Sequence, residues 1–157
     1  MPSELATPRR TIEKLSVVVF SGHFDMVHYA LTLAAAAAAT DTPATLFFTM
    51  GALRALRAPG TDGVAAWRDM PLSDGAGPEG EKNGGTHDGN FRARGVATFE
   101  ELLAATVEMG VRFMACEMGL KALGLEAGDL RNDVAIETVG AVTFLNDASK
   151  HGTVLFV

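Results

Sequence analysis

The chain alternates short β-branched or aromatic runs with longer stretches of helical periodicity. Leu15-Ser16-Val17-Val18-Val19-Phe20 is the first such run, and its near-continuous apolar character predicts a central parallel strand. Thr45-Leu46-Phe47-Phe48-Thr49 is the second, and the apolar run ending at Cys116 is the third. Val134-Ala135-Ile136-Glu137 predicts a short fourth strand, and Thr153 to Val157 a buried fifth. Helices fall between them. Asp25 is placed to cap one running from Met26 to about Thr40, where the unbroken alanines Ala34 to Ala39 raise helix propensity and keep the helix thin. A short helix covers Ala52 to Arg57, ahead of Pro59-Gly60. Thr98, with Glu101 three residues on, makes a capping box for a helix that Gly110 stops. Another short helix follows Cys116. Gly140 to Lys150 predicts the last, with Val142, Leu145 and Ala148 inward.

Strands alternating with helices predict a single α/β domain, a three-layer α/β/α arrangement with a five-stranded, mainly parallel sheet. Residues 1–13 read as a flexible N-terminal tail and residues 14–157 as the domain. From Pro59 to Gly95 the periodicity breaks. Gly, Asp, Pro and charge dominate there, so residues 59–95 read as a long Gly-rich loop, a mobile cover with one helical fragment around Val64 to Arg68. Asn83-Gly84-Gly85-Thr86 follows no strand and lacks a Gly-Lys-Ser/Thr ending, which argues against a phosphate loop.

Composition narrows the function classes. A chain of 157 residues, 48% hydrophobic and 20% charged, is long and apolar enough to bury a core. Its net charge of −6, with no basic block, argues against nucleic-acid partners. The longest apolar stretch, Met26 to Ala39, has about 14 residues where a bilayer span needs ~20, so no membrane partner is expected. The first residues carry no export signal. A single cysteine excludes an internal disulfide and a multi-cysteine metal site, and it fits a reducing, cytoplasmic location. His23, Asp25 and His28 are close in sequence but share no evident face with a third ligand. No dinucleotide fingerprint follows the first strand. The expectation is no metal and no cofactor.

That cysteine is the sharpest chemical feature. Cys116 falls at a strand-to-helix junction, where the first N–H groups and the dipole of the helix favour a thiolate. Glu117 opposes ionisation, and Lys121, four residues on, is placed to pair with Glu117. Ligands of parallel sheets sit beyond the carboxyl ends of the strands. That rule gathers Ser21, Gly22 and His23 after the first strand, Thr49 to Gly51 after the second, Cys116, Glu117 and Met118 after the third, and Thr138 to Gly140 after the fourth. His23 is a candidate to hold a proton or to favour the anion by its charge. The plain alternative is that a lone cysteine in an apolar segment packs as a small core hydrophobe.

Several of these segments resemble the DsrE/DsrF-like family, in the sulfur-transfer branch often labelled peroxiredoxin-like. They are Val17 to Gly22 with its helix, Leu46-Phe47-Phe48-Thr49, Phe113-Met114-Ala115-Cys116-Glu117-Met118, Gly140 to Leu145 and Val154 to Val157. The resemblance implies a homo-oligomer, a trimer or hexamer. It also implies a cysteine, matched here by Cys116, that carries sulfane sulfur as a persulfide and passes it to a partner thiol. The partners so implied are small sulfur-carrier or rhodanese-type proteins. Two other readings stand beside it. One is a thiol redox or sensing protein using an external resolving thiol, although Val111 stands where a peroxidatic motif needs threonine. The other is a non-catalytic oligomeric binding module with a structural Cys116.

Overall fold

The computed structural model describes residues 12–75, 77–78, 80–148 and 150–157; residues 1–11, most of the expected tail, lie outside them. Five strands form one sheet: β1 (Leu15–Val19), β2 (Ala44–Phe48), β3 (Arg112–Cys116), β4 (Ile136–Val139) and β5 (Thr153–Phe156). Their spatial order is β4-β3-β2-β1-β5, and every pairing is parallel. The helices are α1 (Phe24–Ala39), α2 (Gly84–Ala93), α3 (Phe99–Glu108), α4 (Glu117–Ala122) and α5 (Ala141–Asp147). This is the three-layer α/β/α domain that the alternation predicts.

Side chains alternate across each strand, so the sheet has two distinct faces. On the first, Val17, Val19, Leu46, Phe48 and Phe113 meet Phe24, Val27 and Leu31 of α1 and Phe99, Leu102 and Leu103 of α3, in one continuous core. Ala30 and Ala34 are fully buried on α1, which is how the thin alanine helix sits close to its neighbours. On the second face, Phe47, Met114 and Cys116 meet Phe144 of α5. The chirality of the connections explains the split. The steps β1 to β2 and β2 to β3 move one way across the sheet, while β4 to β5 returns past β1. A right-handed crossover in the reverse direction must pass over the opposite face.

Several expected boundaries shift. The first helix begins at Phe24, with His23 and not Asp25 in the capping position, and no side chain caps it. Asp25 instead accepts hydrogen bonds from the Ser73 N–H (2.8 Å) and the Ser73 hydroxyl. The fourth strand is displaced by two residues, to Ile136–Val139. The face of α5 is also corrected. Val142 and Leu145 are 73% and 63% exposed, and Phe144 is the buried contact, with Ala148 just beyond the helix. The last strand is an edge strand, not a buried one, with Val154 and Phe156 open on the second face. The capping box of Thr98 and Glu101 forms as predicted.

The largest correction lies between residues 59 and 95. The expected helical fragment is there as a 3-10 turn, Ala66–Asp69, but the ten-residue helix α2 occupies a stretch read as loop. Trp67 stacks on Phe24 and packs tilted against Phe99, the three rings in mutual contact, and its indole N–H donates to Glu100 (2.8 Å). Asn83 and Thr86 cap α2 reciprocally. Gly84 is required by close approach: a Cβ there would lie 2.4 Å from the Trp67 carbonyl oxygen and 2.7 Å from the Phe24 ring. A glycine that reads as a breaker in isolation here lets a helix start against the core. Asp88 of α2 then accepts from the Phe99 N–H (2.6 Å), which ties α2 to the start of α3.

Candidate functional site

The carboxyl edge of the sheet brings together most of the residues that the sequence placed there. Gly22 and Gly51 touch: a Cβ on Gly51 would stand 2.8 Å from the Gly22 Cα. Gly119 lets α4 settle on the loop after β2, since a Cβ there would meet the Thr49 hydroxyl at 2.8 Å and the Met50 N–H at 2.9 Å. Cys116 pairs in register with Val139, which delivers Gly140 beside Glu117. The ends of β1, β2, β3 and β4 are thus linked by small residues at each junction.

Cys116 ends β3 and occupies the capping position of α4. The thiol is covered in the structure. Cys116 is 4% exposed, packed with Phe47, Met114 and Phe144. Phe47 and Phe144 stack with ring centroids 4.6 Å apart and planes 10° apart, which fixes α5 over the sulfur. Among the described residues no hydrogen bond reaches the Cys116 Sγ. The strand period explains the neighbours: Met114 shares the face of Cys116, whereas Met118, on α4, is exposed. His23 is exposed, and its Nδ1 lies 3.1 Å from the Ser21 hydroxyl rather than near the thiol. Glu117 and Lys121 form no ion pair among the described residues; both line an open groove of about 660 Å³ on the far side of α4, with Thr138 at its edge.

The amino-terminal end of the same sheet face is held by charge. Asp147, at the end of α5, accepts from the Lys14 ammonium (2.5 Å), the Thr45 hydroxyl (3.1 Å) and the Arg112 guanidinium. Burial pushes the Asp147 carboxyl up, but these three partners outweigh it and hold its pKa below the usual carboxylate range. Arg112 also pairs with Glu137 on the neighbouring strand (2.8 Å). α5 is therefore pinned electrostatically at one end and by Phe144 in its middle.

A second cluster has no counterpart among the expected site residues. His28 of α1 and His87 of α2 are both buried beside Phe91. Burial lowers the pKa of His28, opposed by its hydrogen bond to the Ala97 carbonyl and by the nearby Asp88. The signal available in the sequence was the spacing His87, Asn90, Phe91 and Arg94, one helical face after an Asn-x-x-Thr cap. Among the described residues no group of three or more His, Cys, Asp or Glu side chains is placed to hold a metal ion. Nor is any helix among them long and apolar enough to cross a membrane.

Known proteins share this architecture. The chain is 29% identical over 157 residues to the uncharacterized protein YrkE of Bacillus subtilis (strain 168), covering 92% of this chain and 97% of that protein. The structure of the protein of unknown function MTH1491 from Methanobacterium thermoautotrophicum superposes with a TM-score of 0.54 at 12% identity, over 92% of this chain and 98% of that one. The profile of the DsrE/DsrF/DrsH-like family matches residues 11–156. The chain, matched over almost its whole length, belongs to the DsrE/DsrF/DrsH-like family.

Proposed function

We propose that this protein is a sulfur carrier that holds sulfane sulfur on Cys116. The observation that carries the reading is the place of that cysteine in a chain of this family. It lies at the carboxyl end of β3 under one seven-residue helix, whose buried hold on the sheet is Phe144. In the loading step the Cys116 thiolate attacks the outer sulfur of a donor persulfide, R–S–SH. The new bond is Cys116 Sγ–S, the bond broken is the donor S–S, and the donor leaves as a thiolate that takes up a proton. Unloading repeats the exchange with an acceptor thiol, so no external oxidant or reductant enters. Small sulfur-carrier or rhodanese-type proteins fit as donor and acceptor. Access requires α5 to lift. The apolar side chains left open around it, Val142, Leu145 and Val154, support a homo-oligomer, a trimer or hexamer.

The burial of Cys116 favours one rival, a binding module in which the cysteine only packs. Intact mass after incubation of the native protein with a low-molecular-weight persulfide decides between them. The carrier gains one sulfur atom, Cys116→Ala gains none, and Phe144→Ala gains it faster. No gain in the native wild type, together with gain once the chain is unfolded, overturns the proposal.

A further inference from the structure

The strand order reverses between β1 and β5. β1 leads by way of α1 to β2 on one side, whereas β5 arrives on the other side of β1 from α5, on the opposite face. Where connections part in this way, an open parallel sheet leaves a crevice beyond its carboxyl ends. This crevice lies two strands away from Cys116. It holds a cavity of about 620 Å³ lined by His28 and Tyr29 of α1, His87 and Phe91 of α2, Arg94 just past the end of α2, and Phe156 of β5. That size suits a small organic ligand, for which sites of roughly 300–1,000 Å³ are usual.

The two imidazoles give the cavity its polarity. His28 and His87 are 6% and 5% exposed. The His28 Nε2–H donates to the Ala97 carbonyl (2.8 Å), and the His87 Nδ1–H donates to the Glu81 carboxylate (2.5 Å). In the neutral form of each ring these bonds leave His28 Nδ1 and His87 Nε2 as acceptors. Neither has a hydrogen-bond partner among the described residues. The fully buried side-chain polar atom without a partner among them is the Ser16 hydroxyl oxygen alone, so neither nitrogen is sealed off, and both residues line this cavity. Both rings rest on Phe91, at centroid distances of 4.5 and 4.3 Å, which holds them in place.

Charge and shape then select the ligand. Arg94 lines the cavity and is exposed, and the carboxylates around it are engaged: Asp25 accepts from Ser73, Glu81 from His87 and Asp88 from the Phe99 N–H. One guanidinium matches one carboxylate and recognises it in a bidentate manner. Tyr29, Phe91 and Phe156 offer ring faces to an aromatic body. The acceptor nitrogens call for a donor on the ligand. We propose that this cavity binds an aromatic monocarboxylate carrying a hydroxyl or N–H donor. Its carboxylate sits on Arg94, its ring among Tyr29, Phe91 and Phe156, and its donor on His28 Nδ1 or His87 Nε2.

The test is a titration of the full chain, with histidine rings labelled in 15N, against 4-hydroxybenzoate. Saturable shifts of the His28 and His87 ring nitrogens are expected, with affinity reduced about tenfold or more in Arg94→Gln, whose side chain is exposed. The uncharged 4-hydroxybenzamide loses affinity similarly, and benzoate, which lacks the donor, perturbs the ring nitrogens less. Cys116→Ala binds as wild type does, which separates this site from the carrier reading. Absence of saturable shifts, equal affinity in Arg94→Gln, or equal binding of the amide overturns the proposal.

Discussion

On one face of the sheet, two helices of sixteen and ten residues lay a continuous aromatic and aliphatic core over β1, β2 and β3. On the other, a helix of seven residues sets Phe144 on Phe47 and Cys116 and leaves β5 bare. The first face holds the larger core, and the second holds the single cysteine. Local openings that cost less than global unfolding come from layers with few buried contacts. A cysteine under α5 is therefore separated from solvent by a small, local transition, whereas a cysteine under α1 would need the whole domain to open.

The comparison breaks most visibly under truncation. Phe48→Ala, on the thick face, is expected to cost about 3–5 kcal/mol, because rigid neighbours on α1 and β3 cannot close the cavity. Phe144→Ala is expected near the bottom of that range, about 3 kcal/mol, since α5 can settle or admit water. Urea midpoints measure both. Native-state alkylation of Cys116 should rank them in the opposite sense, with Phe144→Ala labelling faster at equal denaturant-free stability margins. Equal acceleration in the two variants would mean that the thiol opens only with the whole fold.

Acid should act on the thick side. The folded-state pKa of His28 lies below the ordinary value, so between that lowered value and ~6.5 the unfolded chain binds more protons than the folded one. The stability owed to a neutral His28 is complete above pH ~6.5 and is lost as the pH falls through the lowered folded pKa. Urea unfolding followed from pH 7 to pH 5 should show this decline, and His28→Gln should flatten it. The smallest effect is expected on the outer surface of α5. Leu145→Ser should change stability by no more than about 0.5 kcal/mol. Light scattering should then show a lower solution mass if that face is buried between copies of the chain; an unchanged mass places the interface elsewhere.

The core strands were legible because continuous apolar runs such as Val17-Val18-Val19 and Leu46-Phe47-Phe48 have few other uses in a chain this polar. The capping box at Thr98 was legible because its chemistry is local. Two errors share one cause. Val142 and Leu145 were placed inward, and β5 was read as buried, because hydrophobicity along a segment records that a face is apolar but not whether anything lies against it. The helix α2 was missed for a related reason: Gly84 and Gly85 are poor helix formers in isolation, and only the nearness of Trp67 and Phe24 makes a glycine necessary there.

By itself the sequence determined the order of the five strands and of every helix but α2, the parallel sheet that order demands, and the station of Cys116 at the end of a strand. These follow from local periodicity, capping and the handedness of crossovers. The tertiary structure alone decided how deeply the thiol lies, which aromatic ring covers it, and that His28 and His87, 59 positions apart, share one cavity. Depth and company depend on distances between segments far apart in the chain, and those distances are fixed only when the whole core closes.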